Sequence, residues 1–135
     1  MIALDALGDE MRVRDYMTSP AITIDERESV ARAHGMMRER GIRHLPVTRA
    51  GELVGLVSER DIFLLLSLHG LTAENEAVEE AMTEVPFIVH PDDPLALAAR
   101  SMARGKFGSA VVVDGGRIVG ILSVVDVLAG LADQQ

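Results

Sequence analysis

A serine followed three residues later by an aspartate occurs twice, each time directly after a short aliphatic run. The two motifs are Gly-Leu-Val-Ser-Glu-Arg-Asp, which ends at Asp61, and Gly-Ile-Leu-Ser-Val-Val-Asp, which ends at Asp126. The spacing is typical of a helix N-cap, in which Ser58 or Ser123 accepts a backbone N–H. A helix N-terminus beside a hydroxyl can also hold an anion, and a nearby carboxylate can accept hydrogen bonds from a ribose diol. Both interpretations can hold together, and Asp where a capping box prefers Glu or Gln favours a role beyond capping.

The elements that must position these motifs follow one order in both halves of the chain. A short strand, an amphipathic helix and a two-stranded hairpin come first, and a second helix opens at each serine. The hairpin signal is strongest at Asp114-Gly115-Gly116. The predicted fold is therefore α/β (α+β), with the order β-α-β-β-α twice. The predicted strands are 21–24, 44–48, 53–57, 87–89, 109–113 and 118–122.

The two halves are copies of each other. Residues 13–63 align with residues 78–128 without a gap, at an offset of 65 positions. A period this long with two copies indicates paired half-modules with a pseudo-two-fold axis rather than a solenoid. The predicted division is a lead-in segment, a first repeat, a connector, a second repeat and a tail, which correspond to 1–12, 13–66, 67–77, 78–131 and 132–135.

Composition excludes several classes of function. The net charge of −8 argues against duplex nucleic acid and anionic membrane as partners. The absence of cysteine removes disulfides and thiolate chemistry, and the four histidines have no metal-ligand spacing. No nucleophile, activated base or metal set accompanies the carboxylates, so we expect no enzyme activity and no required cofactor. The acidic N-terminus and the lack of a membrane-spanning apolar run predict a cytoplasmic protein.

The ordered set of repeated segments resembles a pair of cystathionine β-synthase (CBS) domains, a tandem often called a Bateman module. The segments that carry the resemblance are Val13–Pro20, Gly41–Val47 and Leu53–Ile62, together with their echoes in the second repeat. The resemblance implies regulatory binding of an adenosine-containing ligand such as AMP, ADP or ATP, or of S-adenosylmethionine or a dinucleotide. It also implies that the adenine lies between the paired domains.

The resemblance assigns roles to individual residues. It makes Asp61 and Asp126 the candidates for ribose binding and makes Ser58 and Ser123 the hydroxyl partners of phosphate. Apolar side chains and backbone near the first strand of each repeat become the adenine walls. These walls are Ile22, Thr23, Pro46 and Val47 in the first site, and Phe87, Ile88, Val111 and Val112 in the second.

The two predicted sites differ in positive charge. The first repeat offers Arg43, His44 and Arg60 near its cleft, where the second has Gly108, Ser109 and Val125. Phosphate binding needs donors and positive charge. We therefore expect the first site to prefer phosphorylated ligands. For the second site, weak binding, binding of an uncharged adenosine moiety, an empty cleft and a cation from the first repeat all stay open.

The helix after the first motif is apolar around nearly its whole circumference, from Ile62 to Leu68. A surface helix of so small a protein cannot bury every face within its own chain. We therefore expect a homodimer with Phe63, Leu64 or Leu66 near its interface. The full prediction is a regulatory nucleotide sensor, which signals to an effector protein by a ligand-dependent rearrangement. The alternative is a ligand-free dimerisation or scaffold module.

Overall fold

The computed structural model describes residues 11–69 and 72–133, and the order β-α-β-β-α predicted for each repeat is confirmed. Most of the lead-in segment predicted for residues 1–12 lies outside the described residues. The strands are β1 (Ile24–Asp25), β2 (His44–Arg49), β3 (Glu52–Ser58), β4 (Ile88–Val89), β5 (Ser109–Asp114) and β6 (Arg117–Ser123). The helices are α1 (Val13–Tyr16), α2 (Val30–Arg40), α3 (Glu59–His69), α4 (Leu95–Gly105) and α5 (Val124–Ala132), with a 3₁₀ helix at Val78–Glu80.

Each repeat supplies one three-stranded sheet. In the first sheet β1 pairs parallel with β2, and β2 pairs antiparallel with β3. The second sheet repeats this arrangement with β4, β5 and β6. The first strand of each sheet has two residues, shorter than predicted, because only two residues are in register with the central strand. Among the described residues, no helix has the length and hydropathy needed to cross a bilayer.

The chain forms two compact units whose limits differ from those of the sequence repeats. The first unit comprises residues 22–86, and the second comprises residues 11–21 together with 87–133 among the described residues. The opening segment of each sequence repeat thus folds with the sheet of the other repeat. The ranges 13–66 and 78–131 delimit the repeats of the sequence, whereas each compact unit contains the opening segment of the other repeat.

Hydrogen bonds to an edge strand explain this exchange. Thr83 and Leu56 form two backbone hydrogen bonds of 2.8 and 3.0 Å, and Thr18 and Ile121 form the equivalent pair at 2.8 and 3.0 Å. The opening segments therefore cover the otherwise open edges of β3 and β6. Covering an edge strand satisfies its backbone groups and prevents pairing with other chains.

Each unit has its own aliphatic core. In the first unit, the buried face of α2 consists of Val30, Ala33 and Met37, at the spacing that predicted an amphipathic helix. Met36 is half-buried against this core. In the second unit, α4 buries Leu95, Ala96, Ala98, Ala99 and Met102 against β5 and β6.

Glu26 and Ser109 are the buried polar residues among those described. The carboxylate of Glu26 accepts hydrogen bonds from Nε and, at 3.0 Å, from Nη2 of Arg49. These hydrogen bonds hold the pKa of Glu26 below its usual value, although burial acts in the opposite direction. The ion pair joins the loop after β1 to the last residue of β2.

A lowered pKa makes this ion pair sensitive to acid. Its contribution to the free energy of unfolding is present above the ordinary glutamate pKa of about 4.3 and is lost as pH falls through the lowered value. We expect the stability advantage of the wild type over Glu26→Gln to shrink between pH 6 and pH 3 in urea unfolding. In an Arg49→Gln background the same Glu26→Gln step should lose this acid dependence. If the stability difference between the wild type and Glu26→Gln stays constant with pH while Arg49 is present, the lowered pKa of Glu26 is contradicted.

Candidate functional site

Most of the predicted site residues of the first unit lie at one end of its strands, which we call the first edge. The parallel strands β1 and β2 begin at this edge, and the antiparallel strand β3 ends there, so that His44 lies directly opposite Ser58. Ile22 and Thr23 lead into β1 at the same edge. The edge thus combines the start of α3, an imidazole and two residues of extended chain.

Ser58 and Asp61 close a reciprocal cap at the start of α3. The hydroxyl of Ser58 accepts a hydrogen bond from the Asp61 N–H at 3.0 Å, and Oδ2 of Asp61 accepts one from the Ser58 N–H at 3.1 Å. The sequence predicted the cap, but the shorter aspartate reaches back as well as a glutamate does in a capping box. The choice of Asp is therefore not by itself evidence for a role beyond capping. The hydrogen bonds described for Asp61 engage Oδ2, which leaves Oδ1 for a donor from a ligand.

The second unit repeats this geometry. Ser109 lies opposite Ser123, where β5 begins and β6 ends. Oδ2 of Asp126 accepts a hydrogen bond from the Ser123 N–H at 2.8 Å, and the Ser123 hydroxyl accepts one from the Asp126 N–H at 3.2 Å. Asp126 and Asp61 are both half-buried. Both carboxylates can therefore accept further hydrogen bonds from a polyhydroxylated ligand.

The two edges differ most at the first residue of the central strand. His44 is half-buried, and burial lowers its pKa, while Asp61 opposes this shift and Arg43 adds to it. Arg43 and Arg60 are both exposed, and the Arg43 carbonyl accepts a 2.9 Å hydrogen bond from the N–H at the start of α3. This edge therefore combines a half-buried imidazole with exposed cations.

At the second edge, Ser109 takes the place of His44. It is only 2% exposed, and its hydroxyl has no hydrogen-bond partner among the described residues. Val125 is 72% exposed where the first unit has Arg60. Lys106, the nearest cation in sequence, ends α4 and lines a groove between α4 and α5. The second edge thus offers hydroxyls and a carboxylate, but neither an imidazole nor an arginine at the matching positions.

The predicted adenine walls fall into two groups. Val47 and Val112 are 0% exposed within the hydrophobic cores of their units, so neither the side chain nor the backbone of either residue is accessible to a ligand in this structure. The remaining wall residues differ in exposure: Ile22 and Phe87 are half-buried, Thr23 and Ile88 are exposed, and Pro46 and Val111 are buried.

Sequence reasoning missed an aromatic stack beside the second edge. The rings of Phe87 and Phe107 stack with their centroids 5.0 Å apart at 15°. Phe87 also accepts a 2.8 Å backbone hydrogen bond from Val111. Its ring is therefore positioned by a strand contact and by a second ring. The scarcity of aromatic residues, three Phe and one Tyr in the chain, was the available signal.

Comparison with curated proteins finds this region inside larger proteins. The chain is 31% identical over 127 residues to an A-adding tRNA nucleotidyltransferase of Aquifex aeolicus, which covers 92% of this chain and 15% of that protein. It is 34% identical over 119 residues to an inosine-5'-monophosphate dehydrogenase of Korarchaeum cryptofilum, which covers 86% of this chain and 23% of that protein. The chain thus spans less than a quarter of either relative.

Solved structures match over most of their length. The CBS domain pair of protein MJ0100, in complex with 5'-methylthioadenosine and S-adenosyl-L-methionine, has a TM-score of 0.82 at 26% identity and covers 93% of this chain and 98% of that one. CBSX2 in complex with AMP has a TM-score of 0.76 at 27% identity and covers 90% and 97%. A hexameric CBS-CP12 protein from bloom-forming cyanobacteria has a TM-score of 0.81 at 30% identity and covers 88% and 71%.

The family model for the CBS domain matches the chain twice, at residues 13–68 and 78–133. The two matches cover most of the chain and coincide with the two copies of the β-α-β-β-α order. The chain therefore belongs to the CBS-domain family, as a tandem CBS pair.

Proposed function

We propose that the chain is a regulatory module that binds an adenosine-containing ligand at the sheet edge of the first unit. The observation that carries the proposal is the half-buried Asp61, which is held by its cap on Ser58 and has one carboxylate oxygen available beside His44. Two CBS pairs with similar folds are described in complex with AMP or with methylthioadenosine and S-adenosylmethionine. A ribose diol donates the hydrogen bonds that this carboxylate accepts.

The charges at the two edges support different ligands. Arg43 and Arg60 supply exposed positive charge to the first edge, and His44 supplies a donor, which favours AMP, ADP or ATP there. The second edge has Ser109 and Val125 at the matching positions and favours an adenosine moiety without phosphate. The first edge is therefore proposed as the higher-affinity site for nucleotides.

The proposed action is a population shift. A ligand that binds one arrangement of the module more tightly than another changes their populations by its difference in affinity. An effector protein or a change in self-association would then report the ligand. The described residues contain no group of three His, Asp or Glu side chains suited to a metal ion, and the proposal requires neither a cofactor nor catalysis.

Self-association is proposed through the exposed face of α3. Phe63 and Leu64 are 49% and 47% exposed, whereas Leu66 is half-buried against the core of its unit. Phe63 is also positioned by an edge-on contact with His34, at a centroid distance of 5.2 Å. We expect sedimentation to show a homodimer, and we expect Leu64→Glu to weaken it. A wild type that stays monomeric at micromolar concentration would contradict this proposal.

Calorimetric titration tests the proposed function. The panel comprises AMP, ADP, ATP, NAD and S-adenosylmethionine, with GMP to test for adenine specificity. We expect saturable binding of at least one adenosine ligand, and weaker binding of GMP. Folded protein that is free of carried-over nucleotide and binds none of the panel would favour the alternative, a structural dimerisation or scaffold module.

His44 predicts a dependence of nucleotide affinity on pH. Because burial lowers its pKa, the imidazole is mainly neutral at neutral pH. A bound phosphate would favour the imidazolium, so AMP binding should take up protons and become tighter from about pH 8 to pH 6.5, above the phosphate pKa of about 6. Proton uptake is measured by calorimetry in buffers of different ionisation enthalpy.

Two controls isolate this effect. His44→Gln should remove the pH dependence, and methylthioadenosine, which has no phosphate, should show none with the wild type. If AMP still binds more tightly at lower pH in His44→Gln, a group other than His44 takes up the proton.

A further inference from the structure

The helical faces of the two units differ in shape. On the second unit, α4 and α5 enclose an apolar groove of about 340 Å³. Ala99 and Val127 form its floor and are buried, whereas Leu128 on its rim is 48% exposed. The second unit therefore presents a concave apolar surface between its two longest helices.

Bulky side chains occupy the matching positions on the first unit. At the offset of 65 positions between the repeats, Ala99 corresponds to His34 on α2, and Leu128 corresponds to Phe63 on α3. The rings of His34 and Phe63 meet edge-on, with their centroids 5.2 Å apart at 74°. Phe63 is 49% exposed. These two rings, which we call the aromatic ridge, therefore stand where the second unit has its groove.

The aromatic ridge is held in place within its own unit. Nε2 of His34 lies 3.2 Å from Oε2 of Glu59, the first residue of α3, so the imidazole on α2 is tied to both helices. The imidazole in turn contacts the ring of Phe63. Side chains that are ordered before association lose less conformational freedom when they bind. The aromatic ridge is therefore suited to insertion into a groove.

We propose that the aromatic ridge of one copy inserts into the groove between α4 and α5 of a second copy. The first unit of one copy then packs against the second unit of its partner. A two-fold dimer makes this contact twice, because each copy offers both surfaces. The proposal rests on the self-association proposed through α3 and adds which surface of the partner receives it, but it does not depend on nucleotide binding.

Contacts between like surfaces are less favourable in shape. When two copies of one surface meet across a two-fold axis, the same residues face one another. Two grooves placed face to face would leave unfilled space, and the atoms that line it would lose dispersion contacts. Insertion of Phe63 fills the groove instead. Shape therefore favours the contact between ridge and groove.

Charge favours the same contact. Among the described residues that line the groove, Lys106 is the one charged side chain, so two grooves face to face would offer it no carboxylate. The side of the aromatic ridge carries the partly exposed carboxylate of Glu59, together with Arg38. The unlike contact therefore brings an acidic residue to the interface that contains Lys106.

Cysteine crosslinking tests which surfaces meet, because the chain contains no native cysteine. Ser67, one turn after Phe63 on α3, and Ala103, in the groove lining, are both exposed. Ser67→Cys and Ala103→Cys are introduced into separate copies, which are coexpressed and treated with a short bismaleimide. We expect links between positions 67 and 103, identified by peptide mass spectrometry, and little covalent dimer when either variant is expressed alone.

Filling the groove gives an independent measurement. Ala103→Phe closes the groove from an exposed position and should weaken the dimer by about tenfold or more in sedimentation, the effect of losing a central contact. Arg104→Phe is the matched control, because it adds the same ring at the next exposed position, outside the groove lining, and should leave the dimer unchanged. If two grooves faced each other, Ala103→Phe would fill their shared space and strengthen the dimer.

Three results would overturn the proposal while self-association stands. They are links between identical positions, a dimer in which positions 67 and 103 are never linked, and a dimer that Ala103→Phe leaves unchanged or strengthens. A wild type that stays monomeric at micromolar concentration would instead remove the self-association itself, and the proposal with it.

Discussion

Replacing Asp61 by Ala is expected to weaken binding of AMP by roughly 10- to 100-fold, the effect of losing charge-assisted hydrogen bonds worth about 1.5–3 kcal/mol. The physical reason is that the half-buried carboxylate is the acceptor proposed for the ribose hydroxyls. Calorimetry on the wild type and the variant measures the change. Asp126→Ala is the matched control, because it removes the equivalent carboxylate from the second edge with the same cap geometry.

The cap must be separated from the ligand contact. Asp61→Ala also removes the hydrogen bond to the Ser58 N–H and is expected to cost about 0.5–2 kcal/mol of stability. Asp61→Asn keeps an oxygen that can cap but loses the charge, so it should retain most of the stability and still bind AMP more weakly. Binding that survives Asp61→Ala but fails in Asp126→Ala would reverse the ranking of the two sites.

Replacing Gly55 by Ala is expected to destabilise the first unit by about 1–3 kcal/mol, the range for overpacking a filled space. A Cβ at this position would lie 2.8 Å from the Thr83 carbonyl oxygen and 2.7 Å from the Met82 sulfur. The backbone carbonyl cannot move without breaking the hydrogen bonds between Thr83 and Leu56. Urea unfolding measures the loss.

Gly35 provides the matched control for this substitution. A Cβ on Gly35 meets nothing within 4 Å, and the residue is exposed within α2. Gly35→Ala should therefore stabilise the protein by about 0.5–1 kcal/mol, because alanine is the better helix former. If Gly55→Ala were as stable as the wild type, the opening segment of the second repeat would not pack against β3 as described.

The same contact explains why two glycines recur at an offset of 65 positions. A Cβ on Gly120 would lie 2.8 Å from the Thr18 carbonyl oxygen, the same distance as from a Cβ on Gly55 to the Thr83 carbonyl oxygen. The recurrence of the two glycines was visible in the sequence, but their contacts with Thr83 and Thr18 were not. Pairing between extended segments distant in sequence leaves no periodic pattern, so the exchange of opening segments could not be predicted.

Local residue patterns predicted the turns and caps better than they predicted which distant segments pair. The Asp114-Gly115-Gly116 turn was recognised from its glycines, and Gly115 and Gly116 adopt φ of 58° and 80°. In the first repeat, Ala50 adopts φ of 51° without a glycine signal, because the hairpin imposes a left-handed conformation there. The caps at Ser58 and Ser123 were predictable because capping depends on residues three positions apart.

The candidate site was predictable only in part. Spacing placed Ser58 beside Asp61, and the hairpin placed His44 opposite Ser58. The burial of Val47 and Val112 in the cores follows from side-chain alternation along a central strand, whereas the family resemblance implied that both residues line the adenine walls. The stack of Phe87 on Phe107 depends on how the end of α4 turns back, which residue types alone do not specify.

The most direct test of the account is a two-dimensional ¹H–¹⁵N NMR titration with AMP. We predict saturable shifts of the backbone amides of His44, Ser58 and Asp61 at lower AMP concentration than those of Ser109, Ser123 and Asp126. Amides on the groove side of α4, such as Ala103, should move little. Saturable binding without shifts at the edge formed by His44 and Ser58, or no shifts at any AMP concentration, would contradict the proposed nucleotide site.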